Sequence, residues 1–335
     1  MSLIENIENH ASVSVVGMAK NTGKTTCLNF IIRHFGEKQK PIAVTSIGVD
    51  GEERDALYDT PKPRITLYKG TIFITSEQHY ADKEFPAETL AVSKRSTPLG
   101  RLITARALDS GKVILSGPSD SAWMRKMVAE MPSLGVSLTL VDGALSRMSS
   151  ASPAVTEAVI LCTGAACSAQ LPELIRRTKF CCRLINSEQA PESLREKLFS
   201  LDNGVWLLDE SGTESKIASS VFALNDEAVK ILKKNEVVYV SGAVTDSFLK
   251  ALCINKMEGI TLIVHDFSKL FIQPITYDRF IRCGGKLQVL HKTKLIAVCT
   301  NPVSPEGVRL NAVMLREEMR QALQIPVYDI MLIEK

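Results

Sequence analysis

The chain has little net charge. Forty Lys and Arg face thirty-seven Asp and Glu, a net +3 at pH 7, too small an excess to imply a nucleic-acid partner. It lacks long apolar runs: Val205–Leu208 and Ala158–Cys162 fall far short of the roughly 20 residues a membrane span needs, so no membrane partner is expected. It also lacks C-x-x-C pairs, and several of its eight cysteines, such as Cys162, lie in strand-like apolar runs. That usage fits reduced core thiols better than a disulfide framework. The N-terminus has no basic-then-apolar layout of a secretory signal, so the cytoplasm is the expected compartment. The five histidines are scattered without metal-ligand spacing and are read as structural or exposed.

What is present is an ordinary globular composition, 45 % hydrophobic and 23 % charged. With 335 residues the chain can bury a sizeable core, and roughly 150 residues per domain points to about two domains. Short β-branched runs alternate with helical stretches. Strands are expected at Val13–Val16, Ile42–Ile47, Val113–Leu115, Ser137–Val141 and Ala158–Cys162. A hairpin is expected from Arg64–Tyr68 and Thr71–Thr75 around Lys69-Gly70, and helices at Gly23–Phe35, Leu99–Asp109 and Ser121–Glu130. The alternation predicts an α/β fold with a doubly wound, mostly parallel sheet. Residues 1–170 form the expected core and 171–235 a less regular insertion or linker, with a helix-like run at Asp226–Lys233. Residues 236–335 either complete that sheet or form a second α/β unit.

The sharpest signal is Val15-Val16-Gly17-Met18-Ala19-Lys20-Asn21-Thr22-Gly23-Lys24-Thr25-Thr26, between an expected strand and an expected helix. That context turns Gly-Lys-Thr into a phosphate site: loop N–H groups and the helix N-terminus attract an anion. Gly23 allows close approach, Lys24 would reach the β- and γ-phosphates, and the Thr25 hydroxyl would hold Mg²⁺. Gly17 stands one position early for G-x-x-x-x-G-K-[ST]. A metal-bound phosphate also needs hard oxygen ligands, and Asp50 and Asp142 follow strands at the edge where ligands gather. The competing reading for each is a solvated turn aspartate.

The segment resembles the SIMIBI class of P-loop NTPases, which includes dethiobiotin synthetase-like ligases. The resemblance implies a P-loop NTPase fold with an additional α/β insertion. It also implies a water- or metal-orienting role for Asp50 and a Walker-B-like role for Asp142. Many members carry a second loop lysine acting across a dimer. Lys20 stands four before Lys24 where five is expected, so it is a phosphate-facing candidate or a solvated loop lysine, and a homodimer stays open. Asp142-Gly143-Ala144-Leu145-Ser146-Arg147 and the strand ending Thr300-Asn301-Pro302 are also similar to dethiobiotin synthetase-like enzymes. By that similarity Asn301 reads adenine; an Asn-Pro turn is the competing reading. Arg147 either stabilises phosphoryl charge or pairs with a carboxylate. Ser116–Ser119 and Thr163–Ala166 follow strands and either line the same crevice or end the strands as ordinary turns. No Asn/Thr-Lys-x-Asp pattern of guanine readers is present, which favours ATP over GTP.

Read through Gly-Met-Ala-Lys-Asn-Thr-Gly-Lys-Thr-Thr, Asp-Gly-Ala-Leu-Ser-Arg and Thr-Asn-Pro-Val-Ser-Pro, the chain resembles the reactivase subunit family of lysine 5,6-aminomutase. That resemblance implies an ATPase, with Mg²⁺, that restores a cobalamin-dependent aminomutase alongside a second reactivase subunit. The alternative is an ATP-dependent ligase or kinase acting on a small molecule.

Overall fold

The structure, a computed structural model, describes residues 2–47, 64–118, 120–144, 155–209, 212–224, 236–254 and 259–333. The chain divides into two compact units, Met1–Lys179 with Lys294–Lys335, and Phe180–Thr293. The first unit's strands are β1 (Ser12–Gly17), β2 (Ile42–Ser46), β3 (Ile65–Leu67), β4 (Ile72–Ser76), β5 (Ala87–Thr97), β6 (Gly100–Ala107), β7 (Gly111–Val113), β8 (Leu138–Ala144) and β9 (Ala158–Gly164). The second unit carries β10 (Glu188–Gln189), β11 (Val205–Leu208), β12 (Glu214–Ala218), β13 (Val237–Val240), β14 (Val244–Thr245), β15 (Thr261–Val264), β16 (Leu270–Phe271) and β17 (Lys286–Val289). The chain then returns to the first unit with β18 (Lys294–Asn301) and β19 (Val327–Asp329).

A nine-stranded mixed sheet, in the order β19-β18-β9-β1-β8-β2-β4-β6-β5, organises the first unit. It is parallel from β19 through β4, and β6 and β5 close it as an antiparallel hairpin. Strand β1 is buried along its whole length, as a parallel strand covered on both faces must be. The helix after it, α1 (Lys24–Glu37), buries Cys27, Leu28, Ile31, Ile32 and Phe35 at three-to-four-residue spacing. They pack on Val13, Val15, Ile160, Cys162 and Cys299 in one apolar core. A fully buried Leu or Ile contributes about 1.5–3 kcal/mol, so this face fixes the helix over the sheet. A smaller six-stranded sheet, β10-β17-β15-β13-β11-β12, organises the second unit, parallel from β10 to β13.

Several expectations are corrected. The helix expected near Leu99–Asp109 is β6, buried at Leu102 through Ala105 and paired with β4, Ile103 opposite Thr75. Leu, Ala and Arg favour helix locally, but two-sided ladder pairing outweighs that preference. The hairpin at Lys69-Gly70 has its turn, with Gly70 at φ +89 and the Thr71 N–H donating to Tyr68 O at 3.0 Å. Its arms diverge, however: β3 pairs with β7 and β4 joins the large sheet. Residues 171–235, expected as a less regular insertion or linker, hold regular helices and strands where they are described. Helix α2 (Leu171–Ile185) crosses the division between the units, and the second unit runs on to Thr293. Of residues 236–335, the part to Thr293 falls in the second unit and β18 and β19 join the first sheet. The run Asp226–Lys233 lies outside the described residues.

Candidate nucleotide site

Strand β1 ends at Gly17, and α1 begins at Lys24 after an N-cap residue, Gly23, whose φ is +86. A Cβ there would overlap Ile330 Cδ1 and lie 3.2 Å from Asn301 Cβ, so glycine is required by backbone and by space. Asn21 also takes a left-handed backbone, φ 61, which asparagine tolerates better than most residues. Thr22 is fully buried and its hydroxyl donates to Ala19 O at 3.0 Å, pulling the loop into a tight arch. The Met18 N–H donates to Cys162 O at 2.9 Å and moors the arch to β9. A Cβ on Gly17 would crowd Thr22 Oγ1 at 2.6 Å, so this glycine supports the same arch. Lys20 is exposed, and Thr25 and Thr26 are half-buried in the first turn of α1.

Strands β1 and β8 are direct neighbours, with Val15 opposite Asp142 and Gly17 opposite Ala144. That register brings Lys24 Nζ to 2.9 Å from Asp142 Oδ1. The pair is an ion contact without hydrogen-bond alignment, since Oδ1 is buried and accepts no aligned hydrogen bond. A buried carboxylate oxygen left in this state, next to the hydroxyl-bearing first turn of α1, fits a hard, hydrated cation such as Mg²⁺. Among the described residues no group of three or more His, Cys, Asp and Glu is arranged to hold a metal. Among the described residues, Asp142 and Thr25 are the expected metal-binding groups that this edge holds. Asp50, Arg147 and Ser119 lie outside the described residues.

Asn301, the last residue of β18, reaches across to the loop. Its Nδ2 donates to Asn21 O at 3.2 Å, and its Oδ1 accepts from the Val303 N–H at 3.1 Å. It is at once an Asn-Pro turn and a clamp on the loop. Its own carbonyl accepts from the Ala165 N–H at 2.9 Å, and a side chain at Gly164 would overlap that carbonyl. The 163–166 segment thus ends beside the loop. Thr163 is turned into the core, its hydroxyl 2.9 Å from that of Thr178. Gly117 packs against Ser46 O, and Ser46 is the register partner of Asp142, so the 116–118 turn also reaches this edge.

Sequence reasoning missed two features. His79 Nδ1 lies 2.6 Å from Ser116 Oγ, both residues buried, joining the short helix Glu77–Ala81 after β4 to the 116–118 segment. Behind the loop, Cys27, Cys162 and Cys299 form one buried group, with Cys27 and Cys299 sulfurs 3.7 Å apart. Thiol–thiol contacts of both signs, together with burial, leave all three well above the ordinary thiol range. They stand protonated. Neither feature has a local sequence signal, because each joins residues far apart in the chain.

No protein-family profile matches this chain, and neither a curated protein nor a solved structure matches it. Among the described residues no helix is long and apolar enough to cross a membrane.

Proposed function

We propose that the chain is an ATP-binding NTPase with a P-loop fold that uses hydrolysis to act on a protein partner. By resemblance, that action is the reactivation of a cobalamin-dependent aminomutase together with a second reactivase subunit. The observation that carries the nucleotide reading is the Lys24–Asp142 contact at the mouth of a glycine-capped strand–loop–helix. A phosphate loop needs a cation on the first helical turn and a carboxylate on the adjacent strand, and this edge supplies both.

In this reading the N–H groups of the loop and of the first turn of α1 face the phosphates, aided by the helix dipole. Lys24 exchanges Asp142 for the terminal phosphate oxygens. Asp142, the Thr25 hydroxyl and Asp50 would hold Mg²⁺, which would supply positive charge against the charge developing on the transferred group. Asn301 keeps the loop in its receptive shape by holding Asn21 O.

Calorimetry with ATP and GTP in the presence of Mg²⁺ tests the site, comparing the natural chain with Lys24→Ala. Binding of ATP that the variant loses is the expected result; no binding to either nucleotide overturns the reading. Turnover stimulated by a purified aminomutase supports the partner. Turnover that needs only a small carboxylate, amine or hydroxyl compound favours the ligase or kinase alternative.

A further inference from the structure

The five histidines lie apart in the sequence, and the second unit brings two of them together. Strands β15 and β17 are parallel neighbours, with Val264 opposite Val289. Their pairing continues past both strand ends. The Leu290 N–H donates to Val264 O at 2.9 Å, and the His291 N–H to His265 O at 2.9 Å. Gln189 Nε2 holds Leu290 O at 3.0 Å. His265 and His291 thus leave the carboxyl edge of the small sheet side by side, the edge at which parallel α/β sheets take their ligands. Their ring centres are 4.8 Å apart, and the ring planes are inclined at 52°.

Each ring is braced by a neighbour. His265 Nδ1 lies 2.9 Å from Oδ2 of Asp266, a residue only 1 % exposed. Asp266 is itself fixed, because its Oδ1 accepts from the Ser268 N–H at 2.8 Å. An ionised carboxylate only accepts, so in the neutral imidazole Nδ1 carries the proton and Nε2 the lone pair. The His265 side chain keeps 31 % exposure, so the pair is reached from solvent. On the other side, His291 packs on Phe199, the last residue of α3 (Glu192–Phe199), with ring centres 4.7 Å apart.

We propose that His265 and His291 bind a divalent transition metal of the zinc class, through Nε2 of His265 and one ring nitrogen of His291. Asp266 is the carboxylate that orients His265. A tetrahedral metal holds imidazole nitrogens at roughly 2.0–2.1 Å, which puts the centres of two ligating rings about 5 Å apart. The observed separation matches that spacing before any metal enters. A ligating histidine almost always gives its second ring N–H to a carboxylate, carbonyl or water, and the His265–Asp266 contact has that form. Among the described residues no third His, Cys, Asp or Glu completes a ligand set, so affinity is expected below that of a closed four-ligand site. Imidazole suits Zn²⁺, Co²⁺, Ni²⁺ and Cu²⁺, whereas Mg²⁺ takes oxygen ligands. This site therefore differs in kind from the one at Lys24 and Asp142, and it does not depend on the nucleotide reading.

The test is calorimetry with Zn²⁺ on the reduced natural chain, His265→Gln, His291→Gln and Asp266→Asn, with excess Mg²⁺ present throughout. The partly exposed histidines are the decisive positions. Asp266 is buried, so its variant is read only where its metal-free thermal midpoint matches that of the natural chain. The natural chain is expected to bind one Zn²⁺ that Mg²⁺ does not displace, and each histidine variant to lose at least tenfold in affinity at that site. Asp266→Asn is expected to lose about tenfold to a hundredfold, the range for a group that orients a ligand. Zn²⁺ should also raise the thermal midpoint of the natural chain more than that of either histidine variant. Co²⁺ serves as a spectroscopic probe that separates these imidazoles from the eight cysteines, since thiolate ligation gives an intense ultraviolet charge-transfer band. No stoichiometric Zn²⁺ binding, undiminished binding in both histidine variants, or a cobalt–thiolate band from the bound metal overturns the proposal. Unchanged affinity in a folded Asp266→Asn overturns the role given to Asp266.

Discussion

Lys24 Nζ and Asp142 Oδ1, 118 positions apart in the chain, meet at 2.9 Å because β1 and β8 are adjacent parallel strands. Without a ligand each neutralises the other. Their side chains retain only 25 % and 21 % exposure, so losing one partner leaves a poorly solvated charge. Lys24→Met and Asp142→Asn are each expected to destabilise the chain by about 1 kcal/mol, the double variant by less than the sum. Urea titration of the four chains measures this coupling. An additive result would mean the contact contributes nothing.

The same pair predicts how nucleotide and metal are linked. In Asp142→Asn, Lys24 no longer faces a competing anion, so ATP binding without Mg²⁺ is expected to hold or tighten a few-fold. The enhancement by Mg²⁺ is expected to vanish. Calorimetry at fixed ionic strength, with and without the metal, reads both. An unchanged Mg²⁺ enhancement would exclude Asp142 from the metal site.

Two glycines with nearly the same backbone angle separate strain from crowding. Gly70 has φ +89 with open space around a Cβ, whereas Gly23 has φ +86 and faces Ile330 and Asn301. Gly70→Ala is expected to cost about 1 kcal/mol, the penalty of the left-handed region alone. Gly23→Ala is expected to cost at least a further 1 kcal/mol from the overlap. It should also weaken nucleotide binding, since the loop or the terminal turn must shift. Equal thermal destabilisation of the two variants would contradict this geometry.

These residues also mark how far the sequence is readable. Val13–Val16 followed by Gly-Lys-Thr is legible because strand period, loop glycine and helix start are all local. Asp142 is legible as a carboxylate at a strand end, but its contact with Lys24 depends on which strands are neighbours. Strand β6 reads as helix because Leu102, Ala105 and Ala107 satisfy helical preference, and only its ladders with β4 and β5 decide otherwise. An α/β insertion is expected from the sequence, but which strands belong to it is not readable, for a related reason. Nothing in Val237–Val240 or Leu295–Cys299 says which sheet each joins, yet the first enters the small sheet and the second the large one.

His10 and His34 predict the acid limb of stability. Burial lowers both below the ordinary imidazole value; Lys294 adds to this at His10 against an opposing Glu157. Lys38 and Lys40 add to it at His34 against Glu8 and Glu37. Near and below the ordinary value of about 6.5 the unfolded chain therefore binds more protons than the folded one. Their contribution is present above that value and is lost as pH falls through it towards the lowered folded values. The buried, unpartnered Nε2 of His34 makes the direction concrete, since protonation there would place a charge where no acceptor waits. Urea midpoints at pH 7.5 and 5.5 are expected to drop on acidification in the natural chain. The drop should shrink in a His10→Gln, His34→Gln double variant, which cannot take up those protons. A drop of the same size in both chains would mean that other groups, not these imidazoles, set the pH dependence in this range.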